Sequence, residues 1–205
     1  ASLRHDEHST YLSSGNLRFG KRGHLDLSSG EWQKDQGSWK MTATGDTIEI
    51  DELVSPKWRD SLEGLVEFSA NGRSKPSEGS VWYGDVEISK GAIRKLPLLD
   101  TLAAYTRKPE FQAPALEEAT FRYRTQDGIT QLSEINLYSR NLARIEGNLR
   151  ISDDEISGTL MVGIPAGTLA FIPGAETKVF RADNNRGKYG WLWAPVHIKG
   201  RDGEW

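Results

Sequence analysis

Few side chains in this sequence could do chemistry, and one group of them lies near its start. His5 and His8 flank two carboxylates, Asp6 and Glu7, so imidazole and carboxylate groups stand at an i, i+3 spacing. A structural metal site takes about four ligands and further groups that orient them, and the first residues of a domain are often poorly ordered. We therefore interpret this group as a solvated surface segment and predict no metal site.

A second candidate is the acidic run Asp153-Asp154-Glu155, whose carboxylates could hold Ca²⁺ or Mg²⁺. The run lacks the alternating acidic residues and glycine of a calcium-binding loop. It also separates two stretches of alternating apolar residues, as a hairpin turn does. A turn is the simpler interpretation.

Paired carboxylates such as Glu87 and Glu146 could hydrolyse a glycosidic bond if they faced one cleft. Both fall on predicted polar strand faces. The sequence has no Gly-x-Ser-x-Gly elbow, no phosphate-binding loop and no dinucleotide fingerprint. We predict no catalytic residue and no cofactor, and keep a carboxylate-based glycoside hydrolase as the third functional hypothesis.

The sequence also contains seven tryptophans, whose rings could take part in binding. Exposed rings at alternate strand positions, as at Trp191 and Trp193, could stack on sugars, although such rings in a β protein more often fill the core. A glycan-binding or protein-binding β module that uses exposed aromatics is therefore the alternative function.

Composition narrows the possible partners. The 26 Lys+Arg against 29 Asp+Glu give a net charge of -3, without any block of like charge. Nucleic-acid binding would require a basic stripe, so we expect no nucleic-acid partner. No stretch reaches the roughly 18 apolar residues of a membrane span, and we expect this chain to be soluble. The absence of cysteine fits a reducing cytosol and a bacterial envelope equally well.

In the first part of the chain, we expect short strands to position the residues discussed above. Apolar pairs recur every eight to twelve residues from Leu17 to Val54, which is typical of an all-β meander. Ser28-Ser29-Gly30 and Gly45-Asp46 fit tight turns. The polar run 71–79 predicts a loop, which divides the chain into an N-terminal meander, residues 1–79, and a second part, residues 80–205.

The second part has the clearest patterns. Residues 81–88 alternate as a strand, and residues 143–151 and 156–162 alternate as a hairpin. Apolar residues at helical spacing after Pro97 predict an amphipathic helix near 97–106. Short helical turns should follow near 166–180. We predict a mainly β fold, a curved antiparallel meander or groove, in which the two parts could form one continuous sheet.

These segments resemble the C-terminal region of AsmA-like proteins, the envelope proteins of the AsmA and TamB type. The resemblance covers roughly residues 80 to 200 and rests on glycines and alternating apolar residues. The segments that carry it are 84–93 with 96–99, then 121–124, 127–129, 135–139, 145–151, 158–163, 173–174 and 179–180.

The resemblance implies a non-catalytic portion of a bacterial envelope protein on the periplasmic side, involved in lipid transport or outer-membrane homeostasis. Its curved sheet would hold a phospholipid or another acyl-chain lipid in an apolar groove, as bridge-like lipid transfer proteins do, without a cofactor. The lining that we expect is Phe121, Tyr123, Leu137, Ile145, Leu149, Ile151, Leu160 and Val162.

The family also carries an N-terminal membrane helix, which this sequence does not contain. We therefore expect the membrane anchor in a longer parent protein. The sheet should then have an open edge near residues 17–27, where the chain could self-associate.

Overall fold

The computed structural model describes residues 2–95, 100, 103–104, 107–152, 155–170, 179–183 and 190–201. Within these residues the chain forms twelve strands in one sheet. The strands are β1 (Ser2–His5), β2 (Ser9–Phe19), β3 (Gly23–Gln33), β4 (Ser38–Glu49), β5 (Leu62–Lys75), β6 (Gly79–Ile93), β7 (Ala115–Leu116), β8 (Glu118–Gln126), β9 (Ile129–Ser139), β10 (Ala143–Ser152), β11 (Glu155–Pro165) and β12 (Trp191–Arg201).

Neighbouring strands pair antiparallel in the order of the sequence, so the sheet is a meander. The order runs from β1 to β6 and then from β8 to β12, while β7 pairs with β6 beside the start of β8. The predicted mainly β, antiparallel meander is confirmed. One ladder crosses residue 79, because β5 and β6 pair from Leu62 opposite Ile93 to Lys75 opposite Gly79.

The sheet is open. Among the described residues, β1 pairs only with β2, and β12 pairs only with β11 apart from a bridge between Arg181 and Trp193. β1 reaches Ser14 of β2, which leaves residues 15–19 of β2 on a free edge. On the opposite edge Pro195 interrupts the row of N–H donors, as prolines on edge strands do.

Bulges bend the sheet across most of its strands. Pairing register shifts between Leu27 and Ser29 in β3, between Gly45 and Ile48 in β4, and again within β5, β8 and β10. Thr47, at the second of these, has a left-handed φ of 55°. An extra residue on one strand increases local twist and curvature, so the repeated bulges curve the sheet.

The turns that we predicted at residues 28–30 and 45–46 are wrong, because these residues lie inside β3 and β4. Bulges favour the same small and polar residues as turns, since both depart from the extended conformation. Of the loop predicted at residues 71–79, only residues 76–78 form a turn. β5 continues through Lys75, and β6 begins at Gly79.

Among the described residues, helical structure occurs only in short segments. Of the helix predicted near 97–106, Asp100, Ala103 and Ala104 are helical, and the remaining residues lie outside the described ones. The turn predicted near 166–180 begins as α1 (Ala166–Leu169), and residues 171–178 again lie outside. Three 3-10 turns are Ile50–Glu52, Pro56–Trp58 and Pro109–Gln112.

Strand register gives the sheet two different faces, because directly paired residues point to the same side. The apolar face carries one or more apolar side chains from every long strand. Its members include Leu12, Leu25, Leu27, Met41, Ala43, Val66, Phe68, Val86, Ile88, Phe121, Leu132, Leu137, Ile145, Leu149, Leu160, Val162, Ala194 and Val196. The polar face carries Asp26, Thr44, Ser69, Asp85, Arg122 and Thr159, among others.

The two ends of the strands also differ. At the hairpin end, the strands are joined by turns at residues 6–8, 34–37, 76–78 and 127–128. At the opposite, capped end, three connections are long, namely residues 50–61, 94–114 and 166–190. Each long connection brings apolar side chains back to the sheet. The buried clusters that include them are Ile48, Ile50 and Val66, then Ala103, Phe111 and Leu142, and then Ile164 and Leu169.

Candidate functional site

The structure places all eight predicted lining residues on the apolar face. Phe121 lies opposite Val86 and Tyr123 opposite Gly84 on β6, which fixes the side to which β8 contributes. Leu137 pairs with Ile145, and Val162 lies on the other side of Ile145. The remaining members, Leu149, Ile151 and Leu160, follow at intervals of two residues along β10 and β11. Each of the eight side chains is half-buried.

The apolar face is incompletely covered. The chain exposes 13010 Å² of surface, whereas a compact protein of 22.9 kDa exposes about 9,600 Å². The buried clusters lie at the capped end, where the long connections pack. Towards the hairpin end Leu3 is 70% exposed and Trp32 is 56% exposed. The apolar face therefore meets solvent at the hairpin end, and also along the edge strand β2, where Leu17 is 54% exposed.

Large side chains on this face lie flat over glycines of neighbouring strands. A Cβ at Gly45 would collide with the ring of Phe68, and a Cβ at Gly72 would collide with the ring of Trp82. Tyr123 lies against Gly84, and its hydroxyl donates to the carbonyl oxygen of Ser69 at 3.3 Å. Burial, and to a smaller degree the charge of Asp85, raise the pKa of Tyr123. Flat rings cover the strand beside their own, which keeps the apolar face partly buried without a second layer.

Tryptophans form a row at the hairpin end of the apolar face. Trp32 on β3 is paired directly with Trp39 on β4. The Trp39 ring contacts that of Trp82, with centroids 5.2 Å apart and a tilt of 45°. Such tilted contacts between rings are favourable beyond the area that they bury.

This row borders an apolar concavity of about 430 Å³, which we name the N-terminal hollow. Its volume lies within the range of small-molecule sites. The residues that border it are Leu3, Thr10, Leu12, Gly30, Glu31, Trp32, Trp39, Lys40 and Met41. Every lining residue that the sequence predicted lies instead on β8 to β11.

A polar network lies beside the hollow, where the β1–β2 turn meets the β3–β4 turn. The Lys34 ammonium donates to His5 Nε2 at 2.9 Å and to the carbonyl oxygen of Asp6 at 3.1 Å. The other nitrogen of His5, Nδ1, lies 2.9 Å from Thr10 Oγ1, and Thr10 borders the hollow. The network therefore links the Lys34 ammonium, through His5, to Thr10 at the border of the hollow.

The β1–β2 and β3–β4 turns also position His8. His8 Nδ1 lies 2.6 Å from a carboxylate oxygen of Asp35. The Asp6 carboxylate accepts the backbone N–H groups of Ser9 at 2.6 Å and of His8 at 3.0 Å, and these bonds lower the pKa of Asp6. The group from His5 to His8 is thus a surface network between two turns, and His5 belongs to strand β1. In the part of the chain that is described, no three His, Cys, Asp or Glu side chains are placed to hold a metal ion.

On the polar face, Arg122 links two strands. Its guanidinium donates to Asp85 at 3.0 Å and to Glu134 at 2.7 Å. The hydrogen bond to Asp85, then the charge of Glu134, raise the pKa of Arg122. The three side chains border a depression of about 600 Å³, but they are exposed, so these pairs contribute little to stability.

The hypothetical carboxylate pair is not brought together. Glu87 pairs with Thr120 of β8, which pairs with Asn136 of β9, which pairs with Glu146 of β10. Three strand spacings separate the two carboxylates by about 14 Å. Glycosidases hold their carboxyl groups about 5 to 9.5 Å apart, so this pair lacks the required geometry. Of the acidic run that could bind a cation, Asp153 and Asp154 lie outside the described residues.

The tryptophans suggested for sugar stacking do not form an exposed platform. Trp193 is only 3% exposed and lies over Gly163 on the polar side of β12. Trp191 packs against Tyr138, with ring centroids 6.2 Å apart. Among the described tryptophans the most exposed is Trp32, which lies on the apolar face.

Membrane insertion by a helix has no support in the described residues, none of whose helices has the length and apolar character of a transmembrane segment. Comparison of the chain with known protein families, with curated proteins and with solved structures gives no match.

Proposed function

We propose that this chain is a non-catalytic portion of a bacterial envelope protein that shields acyl-chain lipid, phospholipid foremost, on the apolar face of its sheet. The observation that carries the proposal is the continuity of that face through every long strand while its hairpin side stays uncovered. The AsmA-like resemblance supports the periplasmic side of the envelope as its place and lipid transport or outer-membrane homeostasis as its role. The membrane anchor would belong to a longer parent protein.

Physical chemistry supports a lipid as the ligand. An acyl chain gains about 0.8 kcal/mol for each methylene group that it buries. It needs no hydrogen-bond partner, and the half-buried leucine and isoleucine side chains of β9 to β11 offer none. The opposite face carries charged and hydroxyl groups that remain solvated, so the sheet can cover a lipid on one side and face water on the other.

The test is lipid extraction from the purified chain combined with native mass spectrometry. We expect phospholipid to co-purify and to remain bound in the gas phase. Leu149→Asn places an amide on the apolar face, and we expect it to reduce the bound lipid severalfold. Arg150→Asn makes the same amide on the polar face of the same strand, and it should retain the lipid.

Circular dichroism should show that both variants keep their strands. The proposal fails if no phospholipid co-purifies and added phospholipid also does not bind. It also fails if the two variants lose lipid equally.

A further inference from the structure

The N-terminal hollow has a lining suited to hydrocarbon. Leu12, Trp32, Trp39 and Met41 present side chains on the apolar face around it. A bound peptide would bring N–H and C=O groups that need partners, and burying them unpaired is costly. A hydrocarbon chain brings no such groups. The lining therefore favours an unbranched alkyl chain over a polypeptide.

The rim of the hollow supplies the opposite chemistry. An ammonium only donates hydrogen bonds, so His5 Nε2 is the acceptor in its contact with Lys34. Neither acceptor of Lys34 is a carboxylate, since one is the imidazole nitrogen of His5 and the other is the carbonyl oxygen of Asp6. The Asp6 carboxylate is already engaged by two backbone N–H groups. Among the described residues no carboxylate oxygen lies within 4 Å of the Lys34 ammonium, although the charge of Lys34 contributes to the lowered pKa of Asp6. An anionic head group could therefore approach the ammonium directly.

We propose that the N-terminal hollow binds a single-chain anionic amphiphile. Its alkyl chain lies against Leu12, Trp32 and Trp39, and its carboxylate or phosphate head is bound by the Lys34 ammonium beside His5. The ligand class rests on the proposed lipid function, but the site lies in the first 79 residues and shares no residue with the lining on β8 to β11.

The experiment measures tryptophan fluorescence of the full chain titrated with three probes of equal chain length: palmitate, hexadecyl phosphate and the neutral hexadecanol. The two anionic probes share the head-group charge and distinguish a carboxylate source from a phosphate source. We expect both to bind at least tenfold more tightly than hexadecanol. Trp32→Phe should remove much of the fluorescence response, because this ring borders the hollow.

Lys34→Gln isolates the head group. We expect it to weaken the two anionic probes about tenfold, to the affinity of hexadecanol, and to leave hexadecanol itself unchanged. Lys75→Gln is the matched control, since Lys75 borders another turn of the hairpin end and pairs with Glu78. It should leave all three affinities within about twofold. Met41→Asn should weaken all three probes, because it changes the alkyl site.

The outcomes separate this site from the function on which it rests. Equal affinity for palmitate and hexadecanol, or an unchanged palmitate affinity in Lys34→Gln, would overturn the inference even if phospholipid co-purifies. Palmitate binding that depends on Lys34 would support it even if phospholipid neither co-purifies nor binds when added, in which case only the proposed function fails. A fluorescence response that survives in Trp32→Phe and in Met41→Asn would place the ligand elsewhere and overturn the hollow.

Discussion

The capped end and the hairpin end of the sheet differ far more from each other than the individual strands do. At the capped end, long connections insert Ile50, Phe111 and Leu169 into clusters with the sheet. At the hairpin end, the turns at residues 6–8, 34–37, 76–78 and 127–128 contain charged residues, serine, glutamine, glycine, histidine and one proline. The apolar face is therefore covered where these connections pack at one end, whereas Leu3 and Trp32 are largely exposed at the other.

This difference shows how a one-layer sheet can combine stability with access. Burial is concentrated where three connections return to the sheet, and Lys108 links two of them by donating to Thr168 at 2.8 Å. No long connection among the described residues covers the hairpin end, where Trp32 is 56% exposed while Trp39 and Trp82 are half-buried. Stability and ligand binding should then respond to different substitutions.

The largest expected effect is at the capped end. Leu169 is 0% exposed, so Leu169→Ala should lower the free energy of unfolding by about 2 to 5 kcal/mol through lost burial and a cavity. Trp32→Ala at the hairpin end should cost less than about 1 kcal/mol, because the ring is largely exposed. Urea unfolding of both variants measures the contrast. Equal losses would show that the hairpin end is as much core as the capped end.

A somewhat smaller effect should follow from filling a cross-strand glycine. Gly45→Ala would force the Phe68 ring away from the sheet, and we expect a loss of about 1 to 3 kcal/mol. Gly167→Ala is the control, because a Cβ there meets no atom within 4 Å and the residue is in a helical turn. The control should be neutral or stabilising by up to about 1 kcal/mol. Thermal denaturation curves of the two variants decide whether flat rings matter.

Hydrogen exchange should extend the comparison to the edge of the sheet. In the described part of the chain no strand pairs with the outer side of residues 15–19 of β2, and Leu17 is 54% exposed on the apolar face. Within this segment, we expect the amides whose N–H groups face outward to exchange faster than any other strand amides. They should become protected at high concentration if the edges of two copies pair. Uniform protection from Leu17 to Ile198 in a dilute monomer would exclude a reactive edge.

The smallest effect concerns pH at the hairpin end. Backbone N–H groups hold the pKa of Asp6 below its ordinary value. A carboxylate with a lowered pKa stabilises the fold above its unfolded pKa, near 4, and this contribution is lost as the pH falls through the folded pKa. Asp6→Asn should therefore show a slightly lower urea midpoint at pH near 7 and a weaker dependence on acid. Glu7→Gln, which alters an exposed neighbour, should keep the acid dependence of the original chain.

The sequence was most informative where alternation and turn chemistry agree. The hairpin of β10 and β11 is confirmed, with Ile151 opposite Ile156, because four polar residues separate two clean alternating runs. The other predicted lining residues also share one face, because their strands alternate in the same way. Alternation alone gives the face of each strand, and a correct turn then gives the partner.

The N-terminal hollow could not be found in this way. Trp32 and Trp39 meet only because the chain turns at residues 34–37. We predicted turns at residues 28–30 and 45–46 instead, because glycine and serine are common in turns, but these residues form bulges inside β3 and β4. A misplaced turn assigns the wrong partner to each residue of both strands. The signal that was available is the alternation of Gly30 with Trp32 and of Trp39 with Met41, which places all four on one face.

The strictly sequential order of the strands has a consequence for assembly of the fold. Apart from the two-residue strand β7, each strand pairs with the next long strand in the chain, so loops that must close are mostly short and their entropic cost is small. Folding can begin at any hairpin and spread to both sides, as in repeat proteins. Gain or loss of one whole hairpin would leave the pairing of the others intact, so the length of such a sheet can change in steps of two strands without redesign of what remains.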